Sequence, residues 1–210
     1  MVAAAVCAAL AERGVPVAAF KPVVTGLDEP AEEWPRDHEL LARAAGAGQE
    51  PEEVAPYLFG PPVSPHYAAE LAGTAIEPAR LVEAARAAGA ERALVAEGVG
   101  GLLVPITPGY LVRDLAIELG LPLLIAARTG LGTINHTLLT VEAARAAGLT
   151  VAGVVLTPWP DAPEPIELSN RATIERLGGV PVAGLPHTDP GSLAKAGSHL
   201  PLGEWLPWSG

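Results

Sequence analysis

One cysteine, Cys7, stands among 210 residues, so no disulfide forms within the chain and the paired-cysteine patterns of zinc and thiol-redox sites are excluded. Lysine is nearly as scarce: Lys21 and Lys195 are the only two, and eleven arginines supply the other cationic side chains. The formal net charge is -11 and the cations are scattered, which argues against a nucleic-acid partner, since a phosphate backbone is met by grouped Lys and Arg. No uninterrupted apolar run reaches the roughly 18 residues of a membrane-spanning helix, so a soluble protein with no membrane partner is expected. A secretory leader is not expected either. No basic residue precedes the first apolar run, and Glu12 and Arg13 stand where a cleavage site belongs. The cytoplasm is the expected compartment, with Cys7 a small core residue.

What the sequence does hold is a regular alternation of short apolar runs with Ala-rich helical patterns. The opening "MVAAAVCAALAERG" places Val2, Val6 and Leu10 four apart, and Gly14 and Pro16 end the pattern, which predicts a helix. Strands are predicted at 17–23, 93–98, 121–127, 151–157 and 180–186, and further helices near 37–45, 78–89, 110–119, 133–147 and 166–177. Continuous apolar strands separated by helices indicate an α/β fold, a three-layer parallel sheet covered on both faces. The length suits one domain. Residues 27–35 and 158–165, rich in Pro and acid, read as surface loops, as does the Pro-rich "PYLFGPPVSPHYAAEL" around Ser64 and His66.

Ligands of such folds bind beyond the carboxyl ends of strands, so the strand exits carry the argument. In "FKPVVTG", Lys21 lies inside an apolar strand; it either meets an anion or extends its head to water at the strand end. Thr25 and Gly26 then turn the chain. In "LVAEGVGG", Glu97 ends an apolar strand ahead of Gly98, Val99, Gly100 and Gly101. A carboxylate there suits Mg2+, and glycine amides approach an anion closely. Asp37 opens "DHELLARAAG" either as a helix cap or as a partner of Glu97. In "ARTGLGTINHTLL", Gly130, Leu131 and Gly132 lead into a helix at Thr133, whose start, with Asn135 and His136 nearby, offers free amides to a carboxylate or phosphate, ordinary capping being the alternative.

These stretches occur together, in order and at similar intervals, in the dethiobiotin synthetases, ATP-dependent ligases of biotin synthesis, which the sequence resembles over roughly residues 2–157. The resemblance implies a fold of the P-loop NTPase type and carboxylation of a diaminopelargonate amine by CO2. ATP then phosphorylates the carbamate, and the second amine closes the ureido ring. By resemblance Asp37 and Glu97 hold Mg2+, while Lys21, Glu97 and Gly100 face ATP, with Lys21 acting on the transferring phosphoryl. Thr25 binds the substrate, and Gly98, Val99, Gly100 and Gly101 supply a backbone wall around its carbamate. Gly130, Leu131, Gly132, Thr133 and Asn135 take its carboxylate tail, a site completed across a homodimer interface.

Two departures from the family pattern shape further expectations. Its phosphate loop, GxxxxGK followed by Ser or Thr, precedes the first helix together with a strand, and no Gly-Lys pair occurs in these 210 residues. The favoured expectation is that codons ahead of Met1 encode both; as written, the chain is expected to bind ATP poorly and turn over slowly. The family also often reads the base with an Asn where this chain has Thr157 and Pro158, which puts base selectivity in question. Two other functions stay open. One is a non-catalytic anion-binding or regulatory subunit; the other is a related nucleotide-dependent ligase or amidotransferase acting on a different acid.

Overall fold

The computed structural model describes residues 1–30, 34–46 and 48–206. The chain opens with α1 (Val2–Glu12), β1 (Val17–Phe20), α2 (Asp37–Ala45), α3 (Pro51–Val54), α4 (Pro65–Ala72) and α5 (Pro78–Ala88). Next come β2 (Ala93–Ala96), the short pair β3 (Pro105–Thr107) and β4 (Tyr110–Leu111), α6 (Val112–Leu119), β5 (Leu123–Ala127) and α7 (Thr133–Ala146). The remainder is β6 (Val151–Trp159), α8 (Pro165–Gly178), β7 (Val182–Pro186), α9 (Leu193–Gly197) and α10 (Leu202–Trp205).

The architecture is α/β with parallel ladders. β1 pairs with β2, from Val17 opposite Ala93 to Phe20 opposite Ala96, and β5, β6 and β7 form a second parallel sheet; β3 and β4 are antiparallel. Alternation along each strand sorts the core into layers. Val17 and Ala19 of β1 join Val155 of β6 and Leu185 of β7 in one cluster with α1, α2, α9 and α10. On the opposite face Phe20 packs with Ala68, Leu81 and Leu115 of α4, α5 and α6, and Val154 and Leu156 pack with Val141 and Ile174 of α7 and α8. Both faces are covered, which is why the strands read as unbroken apolar runs.

Val95 of β2 and Leu124 of β5 both pack against the cluster beneath α1, yet among the described residues no ladder joins β2 to β5. Each therefore keeps one unpaired edge, and all four residues of β2 are only half-buried. α1 lies closely on α9. A Cβ at Gly197 would stand 2.1 Å from the Ala5 carbonyl oxygen, so the contact admits only glycine.

Several boundaries differ from the sequence pattern for physical reasons. The first strand ends at Phe20 because Pro22 has no N–H to give a ladder; Lys21 instead donates its N–H to the Val54 carbonyl at 2.9 Å. The predicted loop 158–165 begins only after Trp159. β6 runs through a cis Thr157–Pro158 bond, and Trp159 lies over Gly184, where a Cβ would be 2.3 Å from the indole. The Pro-rich segment is not loop throughout: α4 starts at Pro65, the helical position at which a missing N–H costs nothing. Tyr110 and Leu111 belong to the β3–β4 pair, because Asp114 accepts the Leu111 N–H at 2.8 Å and starts α6 one residue later. Of the predicted loop 27–35, residues 31–33 lie outside the described residues.

The far edge of β1 is finished by a side chain. The buried Gln49 amide accepts from the Ala19 N–H at 2.9 Å and donates to the Ala19 carbonyl at 2.8 Å, reproducing one rung of a neighbouring strand. Gln49→Ala leaves both groups without their partner at a buried strand, and is expected to cost about 2–4 kcal/mol. Urea unfolding checks this: the midpoint should fall with an unchanged slope, and an unmoved midpoint would show that the rung is dispensable.

Candidate active site

β1 and β2 end side by side. Phe20 and Ala96 are the last paired residues, and the Glu97 N–H donates to the Phe20 carbonyl at 2.8 Å, so residues 21 and 97 leave the sheet as neighbours. Asp37, the first residue of α2, completes a trio. Lys21 Nζ donates to Asp37 Oδ2 at 2.6 Å and to Glu97 Oε1 at 2.5 Å. The side chains are 7 % exposed for Lys21, 22 % for Glu97 and 54 % for Asp37, so the cluster opens to solvent on the Asp37 side. The Lys21 ammonium thus meets anions and does not extend to water. Asp37 is not the helix cap, a position held by Arg36; its carboxylate is committed to Lys21 while lying at the positive end of α2.

Burial alone would push Lys21 toward its neutral form, but the charges of Glu97 and Asp37, with their hydrogen bonds, outweigh it and hold the ammonium above its ordinary value of 10.5. Burial would likewise raise Asp37. The adjacent ammonium outweighs that and keeps the carboxyl below 3.8. Cys7 is fully buried on α1, and burial followed by the Glu97 charge pushes its thiol up to about 12. It stays protonated and serves as core, not as a nucleophile.

The glycine segment follows Glu97 directly. Gly98, Gly100 and Gly101 are exposed and Val99 is half-buried; Gly100 has φ +69°, and a Cβ there would come 2.9 Å from Val104. Thr25 is half-buried, one residue after the bridge that pairs Val24 with Leu58. The second cluster stands at the end of β5. Gly130, Leu131 and Gly132 are exposed, and Gly132 caps α7 with φ +90° and no side-chain cap bond. Thr133 N–H already donates to the Gly130 carbonyl at 3.2 Å, and its hydroxyl is buried 3.4 Å from that of Thr137. The amides of Gly132, Ile134 and the exposed Asn135 likewise have no intrahelical partner. Among the described residues no hydrogen bond or ion pair joins this cluster to the lysine trio.

Two contributors carry no signal in the sequence. Asn170 of α8 donates to the Thr129 carbonyl at 2.9 Å and so braces the turn before α7 from another helix. Arg36 gathers carbonyls of the loop after Thr25. A guanidinium or amide that binds backbone leaves no spacing pattern.

The chain matches the AAA domain family over residues 1–190. It is 46% identical over 177 residues to a protein of Anaeromyxobacter dehalogenans (strain 2CP-1) named ATP-dependent dethiobiotin synthetase BioD, covering 84% of this chain and 78% of that one. To the Bacillus cereus (strain B4264) protein of the same name it is 38% identical over 186 residues, covering 88% and 76%. The chain belongs to the ATP-dependent dethiobiotin synthetases. These are ATP-dependent ligases, and the AAA domain is of the P-loop NTPase type, in agreement with the α/β fold.

For a dethiobiotin synthetase the first question is whether the trio suits a metal. Among the described residues no group of three or more His, Cys, Asp or Glu side chains gathers as a cage. Mg2+ needs none, since it takes one or two carboxylates and fills its octahedron with water and phosphate oxygens. Asp37 and Glu97 could offer two carboxylates of that kind: one oxygen of each is on Lys21 Nζ, and among the described residues the other oxygen of each has no hydrogen-bond partner.

The pKa directions fix the sign of the pH dependence. Asp37, held below 3.8, contributes stability that is complete above that value and is lost as pH falls through its depressed pKa. Lys21, held above 10.5, contributes stability that is complete below that value and is lost as pH rises through its raised pKa. Carboxyl NMR titration should find Asp37 below 3.8 in the wild type and moved upward in Lys21→Met. An unchanged Asp37 titration would show that Lys21 does not set its charge.

Proposed function

We propose that the chain forms the ureido ring of dethiobiotin from diaminopelargonate, CO2 and ATP, through a phosphorylated carbamate. The observation that carries this is the single buried ammonium bridging two carboxylates at adjacent strand ends, in a chain of this family. One amine takes up CO2 as a carbamate and a carbamate oxygen takes the γ-phosphoryl group, releasing ADP. The second amine then attacks the carbamoyl carbon, and phosphate leaves.

Each residue has a task set by charge. Lys21 faces the carbamate and transferring phosphoryl oxygens and offsets their negative charge where its burial keeps water away. Asp37 and Glu97 would hold Mg2+, which supplies charge neutralisation to the phosphate oxygens. Thr25 binds the substrate near the carbamate, and Gly98, Val99, Gly100 and Gly101 bring backbone close to it; Gly100 also faces the nucleotide. The carboxylate tail takes the α7 start around Gly130, Leu131, Gly132, Thr133 and Asn135.

Two further features support the finer points. The α7 face supports a homodimer. Leu131 is 95 % exposed, Leu139 is exposed, and they border a hollow of about 480 Å3 with Ile134, Leu138 and Asn135. The unpaired cysteine suits a cytoplasmic enzyme.

The test is ring closure by the full-length gene product, with diaminopelargonate, bicarbonate, ATP and Mg2+. Wild type should yield dethiobiotin and ADP in equal amounts. Glu97→Gln should still fold, with some loss of stability from the broken ion pair, and should lower turnover by about 100-fold or more, because the phosphate charge loses its organised counter-ion. Wild-type rates in the variant would remove Glu97 from the site. Calorimetric binding of the acid with no ATP-dependent product would overturn the proposal in favour of a non-catalytic binding subunit.

A further inference from the structure

We propose that Arg36 is a positioning residue that clamps the loop after Thr25 to the start of α2, and so fixes the spacing between Thr25 and Asp37. The inference rests on the proposed roles of those two residues.

Arg36 is the N-cap of α2, directly ahead of Asp37. Its guanidinium turns back along the chain. Nη1 donates to the Gly26 carbonyl at 3.0 Å, and Nη2 donates to the carbonyls of Leu27, at 3.0 Å, and Glu29. Three carbonyls of one loop thus converge on one planar cation, a pattern that a fork of fixed donors satisfies and a single ammonium does not. On its other side the loop is stitched to the segment before α4: Gly26 N–H donates to the Pro61 carbonyl at 3.1 Å, Leu27 N–H to Phe59 at 3.2 Å and Asp28 N–H to Gly60 at 2.9 Å. The loop is therefore held between two anchors, of which only Arg36 is a side chain.

The consequence for the site follows from connectivity. Thr25 lies one residue before the clamped carbonyls, and Asp37 one residue after the clamping side chain, with its carboxylate on Lys21. Without the guanidinium nothing in the hydrogen-bond pattern of the described residues ties Gly26, Leu27 and Glu29 to α2, while the Lys21–Asp37 contact itself is untouched. The expected loss is one of order, felt where Thr25 and Asp37 must act on the same substrate.

Arg36→Ala and Arg36→Lys in the full-length gene product test this. Hydrogen exchange of the amides of residues 26–29 should accelerate by about tenfold or more in Arg36→Ala, because the loop keeps only its other anchor. KM for diaminopelargonate and the Mg2+ concentration at half-maximal rate should each rise by about tenfold, with a smaller change in kcat. Arg36→Lys, which keeps the charge but not the fork, should recover only part of either effect. Exchange unchanged in Arg36→Ala would overturn the clamp whatever the enzyme does. Faster exchange with unaltered KM and Mg2+ dependence would reduce Arg36 to a structural bond. A wild type without ring-closing activity would defeat the functional reading and leave the exchange result to decide the clamp.

Discussion

Lys21 carries a charge that is buried, and the surrounding backbone is organised to make that tolerable. An isolated ammonium in so dry a position would lose its proton or unfold its strand; two carboxylates within hydrogen-bonding distance hold it charged. The arrangement constrains three separate parts of the chain at once. β1 must end at Phe20, β2 must end level with it, and α2 must begin where Asp37 reaches back. Removing the cation would leave two acids facing each other, so the fold and the chemistry draw on the same contacts.

The same contacts give the site its polarity. Lys21 is closed off while Asp37 is half in water, so an anion and its counter-ion have one direction of approach. On the proposed reading a cation would meet the carboxylate oxygens of Asp37 and Glu97 that Lys21 does not use, and a phosphate would meet an ammonium whose desolvation has been met in folding. The three groups are held in place by contacts within the fold itself, which is the condition under which charge stabilisation is effective in catalysis. Arg36 extends this order outward, to a loop that would otherwise depend on backbone contacts alone.

Much of this was legible in the residues and some was not. Strand exits can be read from where apolar runs stop, so Lys21 and Glu97 stood out as charges that such runs could not otherwise contain. Asp37 was legible only as a candidate, because an acid at a helix start has an ordinary capping use. The glycines ahead of α7 were legible as a helix start, but not that Thr133 N–H is already spent on Gly130. Helix α4 was hidden by its prolines, which are turn-formers in a list of residues and helix-starters once the register is known. The division of the parallel strands into two ladders was invisible, since periodicity shows that a strand is buried and never which strand lies beside it.

The most direct test of the central claim is a double-mutant cycle on stability with Lys21→Met, Glu97→Gln and the pair combined. If the ammonium and the acid hold each other, Lys21→Met alone leaves an uncompensated carboxylate. The double variant should then be more stable than the sum of the single losses allows, by about 1–2 kcal/mol. Losses that add to within about 0.5 kcal/mol would mean the two groups are neighbours without being partners, and would contradict the account.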